Sequence, residues 1–514
     1  MQLRYRFRVG HHRAHLHNAV PVAARIAILL LLSSCCASSQ QDFFVPAIWG
    51  AIVGIPYRAD LAPRKGASVE RTQGELPPGL TLADSGAITG TPTTAGQFAF
   101  TVETMARGRR LSRKYLLIVS PQDANYGPRP GLTTASGKAL RSCQKEPLSA
   151  GNYVLAADII GDEGSVCFFL ARGTRLDLGG FKLSGRLNVT GNPAGVEISH
   201  GSVECRWKDD GGNAGCIHVN GDGPAAEPLI IHDLTIANAG EDGRGVHIDW
   251  PAAGLAGKPT IVLERLRASV PAQPTVSRAY AISIIAKNQF VLASSNDLQC
   301  SGTARACQAL MCYGVGQCKV HHNRIVMEQN TTDENGRAIL FDGHTQFGEA
   351  WNNDVVVNNN RGIRIRDSRN IRVHHNTFSS IRPEQNALAV LHIGDPDIKE
   401  PNDLQSSVDE NRFLSKGGAI LFARGATNFR FANNSVECSP KCPPYSLAQV
   451  RGPIHSDLVF WHNKLVNVDE PAISLGPNTK VLLCDSGQAG GEGVVEEKCS
   501  SRPAAPKTVT TERK

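Results

Sequence analysis

Val320-His321-His322-Asn323-Arg324-Ile325 and Val373-His374-His375-Asn376-Thr377-Phe378 share one frame: an apolar residue, two variable positions, an asparagine, one variable position and a second apolar residue. The frame recurs at Val408 to Phe413, Phe431 to Val436 and Phe460 to Leu465, and Asn296 and Asn353 fit it. Successive asparagines from Asn296 lie 27, 30, 23, 35, 23 and 29 residues apart, as a base period near 23 with small insertions requires. Weaker copies, Ile198 to Val203 and Ile231 to Ile236, carry the array toward residue 175. A repeat of this length marks a solenoid, because one coil cannot bury its apolar face by itself and does so on its neighbours.

Between the asparagine units lies a second strand with apolar alternation: Ile217/Val219, Val246/Ile248, Ile282/Ile284, Ile339/Phe341, Ile363/Ile365, Ile420/Phe422 and Ile473/Leu475. Two or three short strands per repeat, with no helix-period segment between them, exclude a βαβ sheet. Asparagine at a tight corner tolerates the left-handed conformation and is expected to stack its amide on the asparagine one coil away. The expected fold class is all-β, a single-stranded solenoid over residues 140–485.

Asn360-Arg361-Gly362-Ile363-Arg364-Ile365-Arg366-Asp367-Ser368-Arg369-Asn370-Ile371-Arg372-Val373-His374-His375-Asn376-Thr377-Phe378 is similar to the coil of pectate-lyase-like proteins, a repeat that also occurs in periplasmic NosD-type proteins. Leu176 to Gly185 looks like that family's opening coil. The resemblance implies a right-handed parallel β-helix, and it specifies fold more strongly than chemistry.

A different pattern precedes it. Gly74-Glu75-Leu76-Pro77-Pro78-Gly79-Leu80, Gly86 to Pro92 and Gly96 to Val102 are short alternating strands punctuated by Pro and Gly, closed by Tyr115 to Val119. Residues 41–120 resemble the Ig-like, cadherin-like β-sandwich of bacterial surface proteins, which implies a spacer or binding module. The basic run Arg107 to Lys114 reads as a solvated hairpin tip. Residues 121–139 read as a linker and 486–514 as a polar tail.

Residues 1–35 carry Arg4, Arg6, Arg8, Arg13 and Arg25, no acid, and then the apolar run Ile26 to Leu32, too short to span a bilayer. Leu32-Ser33-Ser34-Cys35 resembles a bacterial lipobox, so a signal peptide and lipidation at Cys35 are expected, with an exported, membrane-anchored chain in the periplasm or at the cell surface. Removing that segment takes five of the formal +7 charges, and the remaining +2 gives no reason to invoke nucleic acid. Twelve cysteines follow the Cys35-Cys36 pair, mostly as close neighbours, which favours disulfides in an oxidising compartment. Cys300, Cys307, Cys312 and Cys318 lack a CxxC knuckle, so no metal site is expected there.

Aligned on the second strands, the residue after the second apolar position runs Asn220, Asp249, Ile285, Cys312, Asp342, Arg366, His392, Ala423, Arg451, Gly476. Asp342, Arg366 and His392 would line one groove about 10 Å long at a coil spacing of about 4.8 Å, with His344 and Asp367 just beyond the strand ends. The resemblance implies an acidic polysaccharide as the partner in that groove. A uronate lyase must neutralise the sugar carboxylate and remove the adjacent proton, which suits Arg366 as base or carboxylate clamp and His392 as base or acid partner. Asp342 would orient these groups or ligate Ca²⁺, the one cofactor this chemistry invites. Arg451 is a further substrate contact. A glycosidase would need two carboxylates about 5 to 9.5 Å apart, which Asp342 and Asp395 offer, while Gly394-Asp395-Pro396-Asp397 lacks the central His of alginate epimerases. Polygalacturonase motifs do not occur. On another face His321, Trp351, His374, Asp409, Ala432 and Trp461 form a strip on which sugars can stack at Trp351. The two readings left open are a polysaccharide lyase or related enzyme and a non-catalytic glycan-binding or adhesive surface lipoprotein.

Overall fold

In the computed structural model the described residues are 51–496, less 55–56, 62–67, 107–108, 121–136, 163, 207–214, 239–242, 252–257, 273–278, 303–306, 329–335, 359–360, 381–390, 395–401, 418 and 452–454. Among them every regular element is a strand. Cys35 and the signal segment lie outside the described residues, as do Asp395 and the end of the tail.

Residues 51–120 form a small β-sandwich. Strands Ala51–Ile52, Val69–Gly74, Gly96–Ala106 and Arg109–Ser120 make one sheet, and Tyr57–Asp60, Leu80–Leu82 and Ala87–Gly90 the other. Val69, Phe100, Val102, Leu117 and Val119 of the first bury against Tyr57, Leu80 and Ile88 of the second. The long hairpin pairs from Gly96↔Val119 to Ala106↔Arg109, which puts the basic run at its tip.

From Lys138 to Glu496 the chain is a parallel solenoid, and its paired strands extend beyond the 140–485 span expected. Each complete coil carries three strands. Two flank the asparagine corner in a 25-stranded array, and the third belongs to a separate 13-stranded sheet that includes Arg244–Asp249, Ala279–Ile285, Cys307–Tyr313, Arg337–Asp342, Arg361–Ile365, Leu391–Ile393 and Leu421–Arg424. Inward side chains form one continuous core, with Phe378 and Phe413 stacked at 5.0 Å and Phe413 and Phe431 at 5.8 Å.

The corner is a hydrogen-bonded ladder. Asn296, Asn323, Asn353, Asn376, Asn411, Asn434 and Asn463 each donate Nδ2–H to the oxygen of the next residue in the series, ending on Ser486 Oγ, at 2.8 to 3.0 Å. The same acceptors also take the backbone N–H of the preceding rung, as Asn376 Oδ1 does from Asn353. The expected amide stack is therefore present, but the left-handed residue is the one before each asparagine. His322, Asn352, His375, Glu410, Asn433 and His462 have φ between 46° and 59°. The backbone turns at that residue, leaving the asparagine free to aim its amide into the corner.

Among the described residues five disulfides fix adjacent segments: Cys143–Cys167, Cys205–Cys216, Cys300–Cys307, Cys312–Cys318 and Cys438–Cys442. The four-cysteine cluster is thus two bridges. Cys205–Cys216 and Cys300–Cys307 tie a strand beyond the corner to the start of the strand in the 13-stranded sheet.

Candidate functional site

The outward face of the 13-stranded sheet carries the groups on which chemistry was expected, in a different register. Pairings run Asp249↔Ile285, Ile285↔Tyr313 and Tyr313↔Asp342, and Phe341 pairs with Ile365, so Arg366 follows Asp342 in the column. Ile365↔Ile393 and Ala423↔Val450 then put Gly394, Arg424 and Arg451 in that column. Cys312 and Ala423 are core residues instead. His392 sits one outward column over, paired with Arg364 and Phe422. The error has a physical source. Ala309-Leu310-Met311 and Ala387 to Leu391 are unbroken apolar runs that fit two registers, and a slip of one residue sends each side chain to the opposite face. The same slip affects Ile420/Phe422, since Leu421 and Ala423 are the inward pair and Phe422 faces out beside His392, 5.2 Å away edge to face.

Asp342 and Arg366 are brought together as expected. Arg366 Nε and Nη2 donate to the two carboxylate oxygens of the buried Asp342 at 2.9 and 2.5 Å, and Gly343 N–H donates to Oδ1 at 2.8 Å. With both oxygens engaged and guanidinium groups around them, Asp342 does not fit a Ca²⁺ ligand. His344 and Asp367 also meet: Nδ1 lies 3.1 Å from Asp367 Oδ1 in exposed turns, the imidazole 82% exposed. Arg451 lies three coils beyond Arg366, about 14 Å along the stack. Trp351 is on the corner, away from this sheet.

A cationic surround, absent from the column expected from sequence, encloses these groups. Tyr280 packs with Met311 and Leu340 on the outer face although Ala281 and Ile282 both belong to the core, so alternation slips by one residue at the start of these strands. That slip places Arg244, Tyr280, Gln308, Arg337 and Arg361, which pair in sequence, on the outside. Arg337, Arg361 and Arg364 are buried, and with Arg366 they crowd one patch. Burial, then the fields of Arg364, Arg361 and Arg366, lower the pKa of Arg337 to about 9.

His392 stands in the same field. Burial pushes its pKa down to about 2, and Arg361, Arg364, Arg337 and Arg424 add to the shift, so the ring is neutral. Neither of its nitrogens has a hydrogen-bond partner. Gly394, in the next column, has φ +80°, and a Cβ there would lie 1.9 Å from the Arg424 carbonyl oxygen. No side chain therefore fills the floor between Arg366 and Arg424. The repeated Arg361-x-x-Arg364-x-Arg366 spacing was the available signal, legible only once the slip is known.

Residues 50–120 match the protein family described as "Putative Ig domain". This Ig-like domain is the sandwich described above. No curated protein matches the chain. Among solved structures, the chain is similar to a Bacteroides fragilis protein titled a "putative alpha-galactosidase", at 18% identity and TM-score 0.14, over 15% of this chain and 17% of that one. A second from the same organism, titled a "putative alpha-galactosidase/melibiase", is 10% identical with TM-score 0.16, over 33% of this chain and 54% of that one. The chain thus spans about a sixth and about half of those two proteins.

A second charged cluster lies nearer the Ig-like domain. His232 is held between Asp233 Oδ2 at 2.5 Å and Glu197 Oε1 at 3.0 Å, and Arg265 donates to both oxygens of Asp233 at 2.6 and 2.7 Å. Burial raises the Asp233 pKa, but the Arg265 charge beside it wins and holds the carboxyl far below its usual range. His200, His232 and Asp233 converge closely enough to share a cation, but Arg265 already supplies that charge.

At the corner, His321, Trp351 and His374 stack in register: His321 and Trp351 centroids are 4.2 Å apart at 24°, and Trp351 and His374 are 6.1 Å apart at 2°. Asp409, Ala432 and Trp461 continue the same column.

Proposed function

We propose that the protein is an exported, lipid-anchored polysaccharide lyase that takes an acidic glycan across the outward face of its 13-stranded sheet. The observation that carries this is the neutral imidazole of His392 among Arg337, Arg361, Arg364 and Arg424, with Arg366 beside them. Polyanion binding relieves the mutual repulsion of the guanidinium groups, and a bound carboxylate raises the basicity of His392 where a proton must be taken. In β-elimination His392 accepts the proton alpha to the sugar carboxylate, the C4–O bond breaks as the C4=C5 double bond forms, and the leaving oxygen takes a proton from solvent or an acid. The Arg groups stabilise charge developing on the carboxylate. Arg366, committed to Asp342, positions rather than clamps. The disulfides support an oxidising compartment, and an Ig-like domain ahead of the solenoid suits a spacer between a lipid at Cys35 and the solenoid.

The test is incubation with alginate, pectate and glycosaminoglycans while ultraviolet absorbance of an unsaturated uronate is followed. Growth of that absorbance, lost in His392→Gln, is the expected result. Binding without product would favour the second reading, a non-catalytic glycan-binding lipoprotein, for which the stacked Trp351 is the specific observation.

A further inference from the structure

The corner sets two neighbouring imidazoles edge to face, their centroids 5.1 Å apart and their planes 84° apart, in a way an extended strand cannot. Successive residues of a strand point to opposite sides, yet His375, with φ 55°, brings its ring edge back to that of His374. The two Nδ1 atoms are 2.8 Å apart. On the far side of each ring, His374 Nε2 lies 3.0 Å from Glu349 Oε1 and His375 Nε2 lies 2.9 Å from Glu410 Oε2. A carboxylate only accepts, so each Nε2 carries the proton. The Nδ1 atoms therefore face each other, and a proton or a metal ion between them satisfies both.

We propose that His374 and His375 bind one divalent transition-metal ion through Nδ1, with Glu349 and Glu410 orienting the rings from behind. An imidazole that binds metal at one nitrogen and donates from the other to a carboxylate is the usual arrangement of such ligands. With metal–nitrogen bonds of about 2.0 Å, a right-angled pair of nitrogens is about 2.8 Å apart and a tetrahedral pair about 3.3 Å. The observed separation is within reach of either spacing, and Cu²⁺ stands highest among the divalent ions in affinity for such nitrogen ligands. His375 is 53% exposed, so the remaining positions open to water or an outside ligand. His321 and His322 repeat the Nδ1 contact at 2.8 Å two coils earlier, where His322 Nε2 meets the side-chain amide of Asn352 at 3.2 Å. The corner sites lie apart from the Arg face, so this inference stands whether or not the protein is a lyase.

The full chain, stripped of metal by chelation, is titrated with CuCl₂ and followed by calorimetry and by electron paramagnetic resonance, in parallel with His375→Asn. Asparagine holds the same left-handed corner position at Asn352 and Asn433, so the variant keeps the turn. The expected result is loss of one Cu²⁺ equivalent in His375→Asn, with a two-nitrogen tetragonal signal missing from its spectrum. Glu349→Gln should keep the equivalent but weaken it about 10- to 100-fold. Identical stoichiometry and spectra in wild type and His375→Asn would overturn the proposal and leave a shared proton between the rings.

Discussion

The asparagine corner and the arginine face are both rows of buried polar side chains stacked coil on coil, and they are built on opposite principles. At the corner each donor meets an acceptor of the next rung, the same residue type repeats, and no net charge accumulates. On the face, Arg337, Arg361 and Arg364 are of one sign, and His392 is held among them without a hydrogen bond. A matched, repeating polar row stabilises a solenoid. A crowded row of one charge repels itself, and on the proposed function an acidic glycan offsets that repulsion.

Removing a rung should have the largest effect. Asn376 donates to Ala350 O, His374 O and Asn411 Oδ1 and accepts from Asn353, so Asn376→Ala leaves several buried groups without partners. A loss of about 3–6 kcal/mol is expected, measured by urea denaturation, and a loss under about 1 kcal/mol would break the contrast between the two rows.

Arg364→Ala should do the reverse. Turnover or affinity for the acidic glycan should fall about 10²-fold, whereas the urea midpoint should move less than in Asn376→Ala because a like-charge contact goes with the side chain. An active, unaffected variant would mean that the face serves another purpose.

How much of this was legible in the sequence follows from periodicity. The ladder was visible because Asn recurs in a frame bounded by apolar residues, and the strip of His321, Trp351 and His374 shares that frame and came out in register. The face was read less well. Its apolar runs at Ala309-Leu310-Met311 and Ala387 to Leu391 carry no alternation to fix which side is in, and the small residues Ala281, Ala309 and Ala338 let two neighbours turn inward together. Asp342 beside Arg366 survived this, whereas His392 and the buried arginines did not. That vicinal His374 and His375 converge depends on a backbone φ, which no pattern of residue types encodes.

Acid should separate the two rows next. The pKa of His392 is lowered to about 2 and that of His247, by burial and then Arg244, to about 3. The unfolded chain binds these protons near pH 6.5 and the folded chain only near those low values, so stability falls as pH drops below about 6.5. Between pH 7 and 5 the loss is on the order of 2 kcal/mol per histidine. His392→Gln should flatten the profile of urea midpoint against pH by one histidine's share, and an unchanged slope would show that the ring is protonated in the fold. The ladder amides do not titrate and contribute nothing to it.

Trp351→Ala should give the smallest effect, about fivefold in glycan affinity, or about 1 kcal/mol, with the rate of any elimination unchanged. A larger loss than Arg364→Ala produces would move the glycan from the face to the corner.

The left-handed corner has one further consequence. Its backbone asks only that a residue accept φ near 50°, and His322, Asn352, His375, Glu410, Asn433, His462 and Asp485 all meet that demand with different chemistry. The loops between coils vary from coil to coil, yet the interval along this line stays near 4.8 Å because backbone pairing sets it. The molecule thus carries an outward inscription at constant pitch, in which one character can be rewritten while the amide ladder one residue away stays intact.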